Sequence, residues 1–332
     1  MVITIVLCIL NISYILSLTF TLYRFLYGGR FRCKSRFRDL FIENIQGKIY
    51  YLRDSCYFDT GRIKKESSVE ILICTDGSNT SIQSAELVSK FKFPAATHVV
   101  VLGVSEGKGD IEKLTTSIDL IDQRLGTSYL LEKKMRHGDP IEEILAEALE
   151  STYDLVIVGG GRNQIGLLDP QVGSTTGKLA RKLHTHFLVV RNIPTKFTNV
   201  LFCTGADTPS SETMNLGGGW LSRSDARIGL LHVIPTRQKA TTASGAEQLP
   251  HDFLIERCTQ QLRAAGIKNE IVPQIRQGLV VEEVLKVLAE GDYELLVVGS
   301  HYQPGQDRWL GTLLDDITDQ LLNRSTCSVL II

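Results

Sequence analysis

Two stretches of this sequence collect residue types that could hold a ligand, and the glycine-rich one suits an anion. The first is Val158-Gly-Gly-Gly-Arg-Asn-Gln-Ile-Gly-Leu-Leu-Asp-Pro-Gln-Val-Gly-Ser-Thr-Thr176. A glycine cluster there closes an apolar run, and Gly173 with three hydroxyl residues opens a helical pattern. Glycines such as Gly159 and Gly160 let the main chain approach a ligand closely. Free amides at a helix start, with the hydroxyls of Ser174, Thr175 and Thr176, make a site for phosphate. Arg162 can add a charge-assisted contact. The second stretch is the end of Ile71-Leu-Ile-Cys-Thr-Asp-Gly-Ser78, where Asp76 either meets a ligand or closes its own Asp-Gly turn.

Other phosphate loops fail on spacing. A Walker loop needs glycine five positions before Gly177 and Ser or Thr after Lys178, but the chain has Val172 and Leu179. A dinucleotide fingerprint needs glycine where Gln164 stands. Seven cysteines are scattered without a CxxC pair, a pattern of reduced thiols rather than of disulfides or zinc. His184 and His186 lack the further ligands a metal needs. No nucleophile, base and acid converge in the motifs. Glu142-Glu143 and Glu282-Glu283 begin helices, where acids favour the dipole, and need no catalytic role. A formal net charge of -1 gives no global footprint for nucleic acid.

These residues must be positioned by elements that occur twice. Tyr153-Asp-Leu-Val-Ile-Val-Gly-Gly160 returns 140 residues later as Tyr293-Glu-Leu-Leu-Val-Val-Gly-Ser300. The same offset links Glu142-Glu143-Ile-Leu145 to Glu282-Glu283-Val-Leu285. In the first copy the expected elements are strands at 69–75, 99–104, 129–136, 155–158 and 187–191. Helices are expected at 80–91, 111–125, 140–150 and 174–183, the third with Pro140 in its first turn. Alternating strands and helices predict an α/β fold of two tandem doubly wound, five-stranded parallel sheets.

Continuous apolar runs mark the covered central strands. Lys133, Lys134 and Arg136, and Pro273 in the second copy, mark an edge. The strand order is then 3-2-1-4-5, with ligands expected at the carboxyl ends of strands 1 and 4, at Asp76 and Gly159. The opposite edges, 187–190 and 329–332, are apolar, and an apolar edge needs a partner. They are expected to pair as an intramolecular pseudo-dimer. Gly217-Gly-Gly219, in the second copy's first helix, suggests close packing or a broken helix.

The chain resembles the universal stress protein family, in two tandem domains at 69–194 and 198–332. The resemblance rests on Ile71-Leu-Ile-Cys-Thr-Asp-Gly-Ser78, Leu102-Gly-Val-Ser105, Gly138-Asp-Pro140, the loop ending in Gly173-Ser174, and Leu230-Leu-His-Val-Ile-Pro235. The family pattern for ATP is Gly, two residues, Gly, nine residues, Gly-Ser/Thr. Gly160, Asn163 and Gly173-Ser174 match that spacing, with Asn163 replacing the middle glycine. The resemblance implies a regulatory, stress-response protein holding ATP, alone or with Mg2+, rather than an enzyme. Asp76 would face the ribose, and the Val104 main chain would contact adenine. Gly159, Gly160, Ser174, Thr175 and Thr176 would hold ribose and phosphates. The second copy has Cys203-Thr-Gly205 without the acid, a loop from Gly299 to Gly311-Thr312 one residue short, and Tyr302 at the middle-glycine position. Nucleotide is therefore expected in the first copy alone. The alternatives are a nucleotide-free interaction module and a slow adenine-nucleotide hydrolase.

Ahead of the repeats, residues 2–23 are uncharged and mostly apolar, long enough to cross a bilayer. Arg24, Arg30, Arg32, Lys34, Arg36 and Arg38 follow. The expectation is a membrane helix within 1–27 and a basic juxtamembrane linker at 28–68, with both domains on the cytoplasmic side. A mis-assigned start would leave a cytoplasmic protein. The polar tract Thr236–Gln248 is expected to be a surface loop.

Overall fold

The computed structural model describes residues 68–94, 96–107, 109–160, 175–193, 197–205, 211–236, 251–299 and 316–332. All of them belong to the compact unit Glu66–Ile332. The apolar segment 2–23, the basic linker, and residues 237–248 of the polar tract lie outside the described residues.

The first repeat runs β1 (Glu70–Thr75), α1 (Asn79–Val88), β2 (His98–Ser105), α2 (Ile111–Leu125), β3 (Leu130–His137), α3 (Pro140–Glu150), β4 (Leu155–Gly159), α4 (Thr175–Lys182) and β5 (His186–Val190). The second runs β6 (Asn199–Thr204), a π-helical turn (Thr213–Gly217) leading into α5 (Gly218–Leu221), β7 (Arg227–Pro235), α6 (His251–Ala264), β8 (Ile271–Gly278), α7 (Val280–Glu290), β9 (Leu295–Val298), α8 (Asp316–Arg324) and β10 (Ser328–Ile331).

Local chemistry explains most boundaries. Ser78 caps α1 by accepting from the Ser81 amide at 3.2 Å. That helix ends three residues before the expected Phe91, because the Lys90 and Phe91 amides turn back to Leu87 and Val88. Phe91 is thereby buried. Asp139 caps α3 by accepting from the amides of Ile141 at 2.9 Å and Glu142 at 3.1 Å. Pro140, with no amide to satisfy, fits the first turn.

The ten strands form one sheet in the order β3-β2-β1-β4-β5-β10-β9-β6-β7-β8. Each half has the expected 3-2-1-4-5 order, with parallel pairing inside the halves. The halves join through antiparallel β5 and β10, pairing Val189 with Val329, Leu188 with Leu330 and Phe187 with Ile331. Two apolar edges that would otherwise invite aggregation are thus used up within one chain.

Alternate residues of each strand feed two cores, one on each face. Ile71, Ile73, Leu188, Phe202 and Leu330 lie in one. Leu72, Phe187, Leu201, Val329 and Ile331 lie in the other. Both cores run uninterrupted across the β5–β10 seam. Edge strand β3 satisfies its charges on both faces. Lys133 meets Asp119 and Asp122 of α2 at 2.9 and 2.7 Å, while Lys134 and Arg136 turn toward Glu147 of α3. Pro273 sits in the other edge strand, β8, which among the described residues pairs only with β7.

The triple glycine realises both expectations. A Cβ on Gly217 would lie 2.9 Å from Ile332 and 3.0 Å from Phe202, and one on Gly218 would lie 3.0 Å from Ala265. The helix there is π-wound rather than α-wound.

Candidate functional site

The carboxyl ends of β1, β2 and β4 bring Asp76, Val104, Gly159 and Gly160 together. Thr75 pairs with Gly103, and Cys74 with Val158. One step further along this register lie Asp76, Val104 and the Gly159–Gly160 pair. Gly159 is stacked directly on the start of α1: a Cβ there would come within 3.0 Å of the Ser81 amide nitrogen and 3.2 Å of its Cα. The Asp76–Ser81 turn and the end of β4 are therefore one packed unit. Thr175 opens α4 and is exposed, whereas Thr176 is buried. Arg162, Asn163, Gly173 and Ser174 lie outside the described residues.

Asp76 is exposed, and its Oδ1 accepts from the Ser78 amide at 2.9 Å. The turn-closing role is therefore real. Partial burial pushes its carboxyl up, but bonds from the hydroxyl and amide of Ser78, and from Ser81, outweigh this and hold it below the usual carboxylate range. The group is an anion at neutral pH with open solvent beside it. Beneath the turn, the Thr75 hydroxyl contacts those of Ser81 at 2.8 Å and Ser117 at 2.5 Å, and accepts from the Gly77 amide at 3.1 Å. This buried hydroxyl cluster fixes the height at which Asp76 leaves the sheet.

Gly77 has φ +74°, a left-handed conformation that favours glycine. The Lys113 side chain lies across it, 2.8 Å from where a Cβ would be, and its Nζ donates to the Asp76 carbonyl at 3.0 Å. A cleft of about 390 Å³ opens beside Gly77 between α1 and α2, lined by Lys113, Thr116 and Ser117 among others. Lys113 and the hydroxyl cluster were not visible as site residues in the sequence. Lys113 and Ser117 are 37 and 42 positions from Asp76 and Thr75, and nothing in their own neighbourhood marks them.

Gly160 has a structural duty as well. A Cβ there would stand 2.8 Å from Arg191 and from Val189. Arg191 is buried behind it, only 8% exposed, and Nη1 donates to the Ser325 carbonyl of the other repeat at 3.3 Å. Burial pushes its guanidinium below the usual arginine range. Ser325 follows α8, so the cation sits against the negative end of that helix. Gly160 is thus needed for the seam, whatever else it touches.

A profile of the universal stress protein family matches residues 70–191 and again residues 196–332. The chain belongs to the universal stress protein family. Among solved structures, a universal stress protein from Archaeoglobus fulgidus DSM 4304 superposes with a TM-score of 0.53 at 14% identity, covering 79% of this chain and 95% of that one. A functionally unknown protein from Pseudomonas aeruginosa PAO1 gives a TM-score of 0.53 at 14% identity, covering 80% and 93%. At such identities the likeness is one of fold. No curated protein matches the chain in sequence.

The two universal stress protein repeats differ where the site would be. Thr204 ends β6 as Thr75 ends β1, but Gly205 stands where Asp76 would. The neighbour of Thr75 on β2 is Gly103, whereas the neighbour of Thr204 on β7 is His232. That imidazole is fully buried, with Nε2 2.9 Å from Nδ1 of His251 at the start of α6. Among the described residues no cluster of three or more His, Cys, Asp or Glu is placed to hold a metal. Burial pushes the Cys74 thiol up, Cys203 to about 12 and Cys327 to about 11, so these thiols are poor nucleophiles at neutral pH.

Proposed function

We propose that this universal stress protein is a nucleotide-responsive regulator that holds ATP in its first repeat and none in its second. The observation that carries the reading is the ionised, exposed Asp76, locked beside the end of β4 by Gly159 and beside Val104 by the β1–β2 register. Ribose hydroxyls would donate to Asp76 and adenine would lie along the Val104 main chain. Phosphates would meet the amides at the start of α4 near Thr175. Loop residues Arg162, Asn163, Gly173 and Ser174 would close over them. The second repeat lacks the acid at Gly205 and serves the first as a rigid partner through β5 and β10. Occupancy would bias an interface rather than drive turnover, so Mg2+ would accompany the phosphates without a catalytic task. The apolar segment 2–23 would tether the pair to the inner face of a membrane.

The reading is tested by denaturing purified protein and chromatographing what is released, then adding ATP to stripped protein in a thermal melt. At 100 times the dissociation constant, ATP should stabilise the fold by about 2.7 kcal/mol. Absence of both released nucleotide and stabilisation would instead favour a nucleotide-free interaction module.

A further inference from the structure

A further cleft lies at the opposite end of the sheet from Asp76. Its volume is about 810 Å³, within the range of small-molecule sites. It is built where the repeats meet, from segments that enter the amino ends of β2, β3, β6 and β7. The first repeat supplies Lys90, Phe91, Phe93 and Tyr129; the second supplies Phe197 and Arg223.

The walls are held rigidly. The Lys92 amide donates to the Trp220 carbonyl across the seam at 2.5 Å, and the Phe93 and Trp220 rings meet at 5.5 Å. On the far side, the Asn269 side-chain amide donates to the carbonyls of Ser224 at 2.6 Å and Ala226 at 2.9 Å, fixing the loop that carries Arg223. Phe91 and Phe93 are buried behind the wall, Tyr129 and Phe197 are half-buried at its surface, and its cations are left over. Neither Lys90 nor Arg223 has an ion pair among the described residues, and the Tyr129 hydroxyl has no hydrogen-bond partner among them. Tyr129 is half-buried, and Arg223 acts on it electrostatically. The one acid on the wall, Asp225, makes no ion pair there either. Two cations and a phenol without such partners among the described residues, beside the half-buried rings of Tyr129 and Phe197, suit one kind of ligand: a flat ring carrying an anionic group. The ring would stack on Tyr129 and Phe197, and the charge would meet Arg223 and Lys90.

We propose that this seam cleft is a second binding site, distinct from the one at Asp76, for a small aromatic organic anion that bridges the two repeats. A ligand there would touch both halves at once, so its occupancy would stiffen the same seam that β5 and β10 make.

The test uses 8-anilinonaphthalene-1-sulfonate as probe on the full chain. The probe is titrated fluorimetrically into the wild type and into Arg223→Gln, Lys90→Gln and Asp76→Ala variants. Each variant is first shown to melt at the wild-type temperature. The expected result is one saturable site in the wild type and in Asp76→Ala. Binding should be about tenfold weaker in either cation variant, and weaker again as salt is raised. Lys90 is exposed, so its variant keeps the test valid if Arg223→Gln folds poorly. No saturable binding to the wild type, undiminished binding to Lys90→Gln, or an equal loss in Asp76→Ala would each overturn the proposal. None of these outcomes depends on whether ATP binds at Asp76.

Discussion

Leu188 and Leu330 are direct partners in the antiparallel register that joins the two repeats, and both are fully buried. Each is the middle residue of the three-residue stretch through which its strand, an open edge if its repeat stood alone, is paired. Their pairing makes ten strands from two sets of five and merges both cores across the seam. Arg181 and Asp319, bonded at 2.8 Å, link α4 to α8 nearby.

The seam therefore contributes a large share of stability. Leu330→Ala should destabilise the protein by about 2–5 kcal/mol, the range for emptying a well-packed leucine site. Chemical denaturation monitored in both repeats should still show one transition. A loss below 1 kcal/mol, or two separated transitions in the wild type, would contradict a shared core.

Glu147 holds a second prediction. Its side chain is buried, accepting from Lys134 at 2.8 Å, Arg136 at 2.9 Å and the Tyr153 hydroxyl at 2.7 Å. The second repeat has replaced this centre: Val287 takes the place of Glu147 on α7, and Gln274 takes the place of Lys134 two residues before Arg276. Among the described residues, Arg276 keeps only its outer partner, Glu290, at 2.9 Å. Glu147→Val alone should cost about 3 kcal/mol, because Lys134 and Arg136 lose their common anion. Adding Lys134→Gln should recover about 1 kcal/mol of that, a coupling measured by a double-mutant cycle in urea. Additive losses would show that the cluster is not one unit.

His186 sets a pH dependence. Burial is the larger influence on its imidazole and pushes it below the ordinary value of 6.5, against the smaller opposing pull of Glu212 and Asp154. Its ring meets Trp220 edge-on at 5.7 Å across the seam. An unfolded chain takes up a proton near pH 6.5 that the folded residue refuses. The contribution of His186 is thus complete above that pH. It falls away as pH drops below 6.5, until the folded imidazole also protonates. Melting temperatures from pH 8 to pH 5 should decline more steeply in the wild type than in His186→Phe. Parallel curves would exclude His186 as the cause.

Much of this fold was legible in the sequence because the relevant signals are local. Runs such as Ile71–Cys74 and Val99–Val104 read as covered strands, and Lys133 and Pro273 suit an edge. The apolar stretches at 187–190 and 329–332 demanded partners and found each other. What stayed hidden depends on contacts between distant segments. Glu147 looks like any helix glutamate until β3 and Tyr153 are folded against it. His232 looks like a strand residue until α6 brings His251 to it. Gly160 looked like a residue for ligand approach, and the structure adds the need to clear Arg191, 31 positions away. The Asp76 turn was legible both ways, and its turn-closing bond is present while its charge remains exposed.

The asymmetry between Asp76 and Gly205 is tested most directly by the stoichiometry of ATP binding. Isothermal titration of nucleotide-free protein with ATP should give one site per chain, and Asp76→Ala, checked by circular dichroism to be folded, should give none. Two sites per chain, or an unchanged isotherm for Asp76→Ala, would contradict the account.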